Sequence, residues 1–342
     1  MQLTSYEKSL RVGSFALVCS LLLRLGAQGY LGRAARFLGP QLKDLLTYSG
    51  TGQAVRSSSS EPAYDFAEES PPPAQTEGAE TTPAQPLPTQ TEAPPDPLAF
   101  TDADTVSIYN TSGLDADPMA LLQTETALPD LEGPKVLLYS THATESYTKA
   151  GEAYQETAAY RTLDPGYNVL SLGKALKEAL ESQGIEVLRD ETLHDYPSYN
   201  AAYSHSRMAA KQYLEDFPSL ALVLDLHRDA ADTPSGQLRP LTQVEGTQTA
   251  QIMLVVGTNA RGLRHPDWEQ NLALALKLQA LLERITPGIT RPTCLRPQRF
   301  NQDLSRGCLL IEIGGAGNTH EEALAAIPPL AQAIGMLLTA RE

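Results

Sequence analysis

Apolar residues along positions 135–342 fall into two kinds of run. Short, nearly continuous ones predict buried strands at Lys135 to Tyr139, Ile185 to Leu188, Leu220 to Leu226 and Cys308 to Ile313. The stretch Thr242 to Val256 predicts two more strands around Glu245-Gly246, the second from Gln251 to Val256. Longer runs have helical spacing. Val169, Leu172, Leu176 and Leu180 mark a helix over Val169 to Ser182 that stops at Gly184. Further helices are predicted over Tyr199 to Phe217, over Pro266 to Ile285 with proline at its start, and over Thr319 to Thr339. Strands alternating with helices indicate an α/β fold. Continuously apolar strands indicate a sheet covered on both faces. The expectation is one three-layer domain with a mixed, largely parallel sheet flanked by helices, spanning residues 135–342.

The front of the chain has a different texture. Val12 to Leu23 is a run of apolar and small residues, interrupted by Arg24 and resumed from Leu25 to Leu31. A spanning helix needs about 20 mostly apolar residues, and an arginine near its middle is costly. The apolar segment of about 12–31 therefore reads as a membrane anchor within residues 1–56, with a signal peptide cleaved near Ala27 as the alternative. Either reading carries the rest of the chain across the membrane. Residues 57–134 read as an acidic, proline-rich disordered linker, with ten prolines between Glu61 and Pro97. Such a segment buries too little apolar surface to offset its ordering entropy. The hydrophobic residues between 105 and 128 mark a place where a strand or short helix can dock on the domain.

Charge sharpens this division. The chain has 342 residues, 26 basic and 41 acidic, for a net −15. Residues 57–134 hold 15 acidic and no basic residues, whereas residues 1–56 hold seven basic and two acidic. The predicted domain carries 19 basic against 24 acidic residues. Without a concentrated basic surface, nucleic acid is excluded as a partner. Three cysteines in a chain of this length make no disulfide framework.

Ligands of open α/β sheets gather at the carboxyl ends of strands. His142 and Glu145 follow the first predicted strand, and His227 follows the third. Two imidazoles and a carboxylate are the ligand set of a catalytic zinc with an open position for water. Glu152 and Glu156 are alternatives to Glu145 as the carboxylate ligand. Glu312, inside an otherwise apolar strand, is the candidate general base, a structural ion pair with Arg228 being its plainer explanation. Asp225 lies two residues before His227, on the same side of a strand, and can orient its ring. Arg228 and Asn301 are candidate substrate-binding residues, suited to a carboxylate or amide. His194, His205, His265 and His320 read as surface residues, and Cys308 as core.

At these positions the chain resembles the stage II sporulation protein P amidases. The stretches that carry the likeness are Leu138 to Tyr147 (L-Y-S-T-H-A-T-E-S-Y), Asp225 to Asp229 (D-L-H-R-D) and Val256 to Asn259. His265 to Asn271 (H-P-D-W-E-Q-N), Phe300 to Leu304, Leu310 to Gly315 and Asn318-Thr319 complete it. The likeness is colinear over about residues 135–340, and the anchor and linker suit the family's layout. In one departure, Ser140 stands where the family usually has the first histidine of a His-Thr-His motif. The resemblance implies a zinc-dependent N-acetylmuramoyl-L-alanine amidase, with an endopeptidase activity on cross-links also attributed to the family. His142, Glu145 and His227 would hold zinc, and Glu312 would move the proton. It also implies peptidoglycan as substrate, a role in engulfment during sporulation, and a lytic transglycosylase and a polytopic membrane protein as partners. The residues alone leave open a zinc carboxypeptidase or endopeptidase on stem peptides, and a non-catalytic wall-binding scaffold.

Overall fold

The computed structural model describes residues 98–101, 104–149, 160–233 and 236–339. Among these, seven strands form one sheet: β1 (Ile108–Asn110), β2 (Val136–Tyr139), β3 (Val187–Arg189), β4 (Leu222–Asp229), β9 (Ile252–Gly257), β10 (Thr293–Arg296) and β11 (Cys308–Gly315). Two short hairpins lie outside it, β5 (Asp232–Thr233) with β6 (Gly236–Gln237) and β7 (Leu241–Val244) with β8 (Thr247–Ala250). The sheet order is β1-β10-β9-β11-β4-β2-β3. All neighbours are parallel except β9 and β11, so two parallel halves meet at one antiparallel seam. This bears out the mixed, largely parallel sheet.

The helices are α1 (Pro118–Gln123), α2 (Val169–Glu181), α3 (Ala202–Asp216), α4 (Trp268–Ile285), α5 (His320–Ala325) and α6 (Ile327–Thr339). Strand alternation assigns the sheet's two faces. Val136 and Leu138, Leu222, Leu224 and Leu226, and Leu309, Ile311 and Ile313 enter the large core beneath α2, α4 and α6. Leu137, Tyr139, Val223 and Cys308 point the other way, into a smaller cluster with Ala210 and Tyr213 of α3. Asp225, His227 and Glu312 continue this second alternation. They therefore emerge on the thinly covered face, at the carboxyl ends of their strands.

The structure revises several expected boundaries. Strand β4 continues to Asp229, so His227 sits within the strand and takes its direction from it. Residues 241–257 form three strands, because Glu245 and Gly246, both at positive φ, turn β7 directly into β8 before β9 begins. The closing helix is two helices, parted at Ala326 just ahead of Pro328 and Pro329, which lack the amide hydrogens to continue a ladder. Strand β10, which no apolar run marks, was not expected.

The domain also starts earlier than residue 135. Within the stretch expected to be linker, Ile108–Asn110 pairs with β10 as the edge strand, and α1 packs on α4 with Leu122 and Phe100 buried in the main core. A few apolar side chains thus suffice to order residues 104–134 once a sheet edge and a helix face receive them. The anchor at 12–31 and the acidic stretch up to 97 lie outside the described residues. The segment His320–Thr339 is long and apolar enough to cross a membrane, but its apolar side chains are largely buried in the main core.

Candidate active site

The H-x-x-E spacing is the geometry of a closed turn. After β2 the chain bends, and the Glu145 amide donates to the His142 carbonyl at 3.0 Å. Positions i and i+3 of such a turn lie close together, so both side chains are delivered to the end of β4. There the Glu145 carboxylate (Oε2) stands 3.3 Å from His227 Nδ1, and the rings of His142 and His227 meet edge to face at 5.4 Å between centroids. Glu312 is the direct neighbour of His227 across the parallel β11–β4 pair. The four predicted residues His142, Glu145, His227 and Glu312 therefore converge, from three adjacent strand ends.

Asp225 stands where strand periodicity puts it. Its Oδ1 is 2.9 Å from His227 Nε2, close enough for a strong charge contact but off the line of a hydrogen bond. Asp225 is itself fixed by Thr141, whose amide and hydroxyl donate to it at 2.7 and 2.6 Å.

The electrostatics follow from burial and crowded carboxylates. Burial alone would lower His227, but Asp225 and Glu145 outweigh it and hold its pKa well above the ordinary histidine value. Burial would raise Glu145, yet the positive charges of His227, Arg228 and Arg161 hold it below the usual carboxylate range. Burial lowers His142 to about 3, which keeps the ring neutral and able to act as a ligand. Burial pushes Glu312 up to about 8, with Asp229 and Glu145 adding to the rise and His227 opposing it. Glu312 is half-buried; its Oε2 is buried and makes no hydrogen bond among the described residues.

The residues suit a zinc ion in donor type. Two imidazoles and a carboxylate converge, and three carboxylates, Glu145, Asp225 and Glu312, surround the His227 imidazole. Two donors of one tetrahedral zinc, each about 2.0–2.1 Å from the ion, stand roughly 3.3 Å apart. His227 Nδ1 and Glu145 Oε2 have that separation. As the side chains stand, no three His, Cys, Asp or Glu groups among the described residues close on a common point. Glu152 and Glu156 lie outside the described residues.

Two expected substrate contacts are buried. Arg228 is 2% exposed, and its guanidinium donates to main-chain carbonyls, to Ser146 at 3.0 Å and Tyr160 at 2.6 Å. It fastens Ser146 and Tyr160 to β4, on the face opposite to His227. Asn301 is also buried, with left-handed backbone (φ 58°), and its amide donates to the Tyr203 carbonyl at 2.8 Å and the Ser206 hydroxyl at 3.2 Å. Both residues build the site's walls. Arg228→Lys is accordingly expected to destabilise the protein by about 2–3 kcal/mol, because a lysine cannot serve the separated carbonyls. Thermal unfolding would register this. An unchanged unfolding temperature with a raised KM for wall substrate would instead return Arg228 to substrate binding.

The expectation of surface histidines also fails twice, since His194 and His265 are buried. Ser140, the departure from the family pattern, lines a small pocket with Leu170, Arg189 and Asp190. Four residues near the site were not foreseen: Arg161, Asp195, Tyr199 and Tyr203. The Tyr199 ring stacks on His142 at 4.5 Å, and Tyr203 meets it edge-on at 5.5 Å. None of these lies at a strand end or in a spaced motif; only the loop's acidic residue beside a histidine, Asp195 after His194, offered a signal.

Comparison with known proteins adds three likenesses. Among solved structures, N-acetylmuramoyl-L-alanine amidase AmiC2 of Nostoc punctiforme is 12% identical, covering 60% of this chain and 96% of its own, with a TM-score of 0.36. The amidase Ami1 of Mycobacterium abscessus is 14% identical, covering 61% and 99%, also at 0.36. These overlaps are too loose to bear on the reaction. A curated protein, stage II sporulation protein P of Bacillus subtilis (strain 168), is 30% identical over 205 residues, covering 55% of this chain and 47% of that relative. The chain thus matches about half the length of that relative. A family model described as Stage II sporulation protein P (SpoIIP) matches residues 37–335, and by that match over most of its length the chain belongs to the stage II sporulation protein P family.

Proposed function

We propose that the protein is a zinc-dependent peptidoglycan amidase that cleaves the bond between N-acetylmuramic acid and L-alanine in wall remodelling during sporulation. The observation that carries this reading is the pairing of Glu312 with His227 on adjacent strands, beside the His142–Glu145 turn. His142, Glu145 and His227 would hold the metal. Zinc held in this way polarises a carbonyl and makes water a competent nucleophile near neutral pH. Glu312, with one buried oxygen that makes no hydrogen bond among the described residues, would take the proton from the attacking water and deliver it to the departing amine of L-alanine. Its depth among apolar strand residues suits a group that must both accept and release a proton.

In the same reading the apolar segment 12–31 anchors the chain in the cell membrane. The acidic stretch ahead of Leu98 then spaces the domain from the bilayer on the wall side. Endopeptidase activity on cross-links, and a lytic transglycosylase and a polytopic membrane protein as partners, belong to the family role and are proposed with it.

The test is digestion of purified sacculi by the full chain in mild detergent, with mass spectrometry of the products. Free stem peptides that vanish with a chelator and return with zinc are expected. Peptides trimmed but still joined to muramic acid would make the protein a peptidase. Cleavage indifferent to the chelator would remove zinc from the mechanism.

A further inference from the structure

The T-H-A-T-E segment holds two threonines, Thr141 and Thr144, each just ahead of a proposed ligand or its neighbour. Thr141 donates its amide and hydroxyl to Asp225, and Asp225 faces a ring nitrogen of His227. Thr144 does the same to a different carboxylate. Its amide reaches Asp195 Oδ1 and Oδ2 at 3.2 and 3.3 Å, and its hydroxyl reaches Oδ2 at 2.6 Å. Asp195 in turn faces a ring nitrogen of His142, with Oδ2 4.0 Å from Nδ1. One arrangement, an aspartate pinned by both donors of a threonine and turned toward an imidazole, is thus built twice.

Arg161 joins the second copy to the rest of the site. Its NH1 donates to Asp195 Oδ2 at 2.7 Å and to the Thr144 hydroxyl at 3.3 Å, while NH2 reaches Glu145 Oε1 at 3.5 Å. Tyr199 lies against both halves of this assembly. Its ring stacks on His142 at an interplanar angle of 15°, and the Arg161 guanidinium carbon sits 4.5 Å from the ring centroid. Stacking of that kind resists rotation of the imidazole about its own bond. The His142 Nδ1 atom is buried and without a hydrogen bond among the described residues, and a shift of about 1 Å would complete one to Asp195.

We propose that Asp195 is the carboxylate that orients His142, and that Arg161, braced by Tyr199, ties Asp195 to Glu145 so that the two are positioned together. This rests on the metal reading given above. Asp195 and Arg161 are positioning residues: they hold the ligands and do not meet substrate. With Asp195 on Nδ1 of His142 and Asp225 on Nε2 of His227, the two histidines present opposite ring nitrogens to the metal. A carboxylate behind a ligating imidazole fixes its tautomer and raises its basicity.

Zinc affinity tests this apart from turnover. The full chain in mild detergent is stripped of metal and titrated with zinc against a chromophoric chelator, alongside Asp195→Asn and Arg161→Lys. Asp195→Asn is expected to weaken zinc binding about 10–100-fold, the usual effect of losing such a partner, measured at a temperature where the metal-free variant is folded. Arg161→Lys, which keeps the charge but not the fork, is expected to weaken it by a smaller factor. A parent that binds one zinc, with Asp195→Asn folded and binding equally well, overturns the assignment. Should Asp195→Asn fail to fold, Arg161→Lys decides in the same way, since it leaves the Asp195–Thr144 contacts in place. A parent that binds no zinc overturns the metal reading itself, before either variant is compared.

Discussion

Glu312→Gln is expected to reduce sacculus digestion by about 10²–10⁴-fold, the range associated with loss of a positioned general base. The substitution preserves shape, and the buried Oε2 has no hydrogen bond to lose among the described residues. Folding should therefore survive. A neutral amide at this depth brings no charge to desolvate. Zinc binding should stay near the parent value, because Glu312 stands beside the proposed ligands and is not one of them. Circular dichroism, zinc titration and product release together check the claim. A variant that digests sacculi at more than about one tenth of the parental rate would remove Glu312 from the chemistry.

His227→Ala is expected to abolish both cleavage and metal binding, a pattern distinct from that of Glu312→Gln. It deletes a proposed ligand, so zinc affinity should fall by more than the roughly 10–100-fold that an outer-shell partner is worth. It also leaves Glu145 and Asp225 buried without the imidazole between them. Removing one member of a buried charged group typically costs about 3–5 kcal/mol, so a lower unfolding temperature is expected as well. Parental zinc affinity in a folded His227→Ala would place the metal elsewhere.

Much of this site was legible before the fold was known, for local reasons. A histidine and a glutamate three apart, just after a buried strand, fall on one turn whatever surrounds them. Asp225 and His227 share a strand face because strand side chains alternate. Glu312 stood out as a carboxylate inside an apolar run. The same alternation places Arg228 with Leu224 and Leu226, opposite to His227. The longer helices were readable because their apolar spacing repeats over several turns. Strand β10 sets only Cys294 and Leu295 between a threonine and an arginine, so no apolar run marks it.

What the sequence by itself determined is the set of local constraints: an α/β alternation, the faces of its strands, the turn that joins His142 to Glu145, and the chain's concentration of negative charge ahead of the domain. What only the tertiary structure decided is which distant residues share a space. Asp195 reaches His142 from the loop after β3, and Arg161 spans Asp195 and Glu145. Asn301 is spent on Tyr203 and Ser206, and residues 108–110, whose hydrophobic neighbourhood marks a docking segment, find their partner strand only in the sheet. Period and turn geometry act over a few residues and can be read along the chain. Hydrogen bonds and burial depend on what lies opposite, and that is settled only when the strands take their order in the sheet.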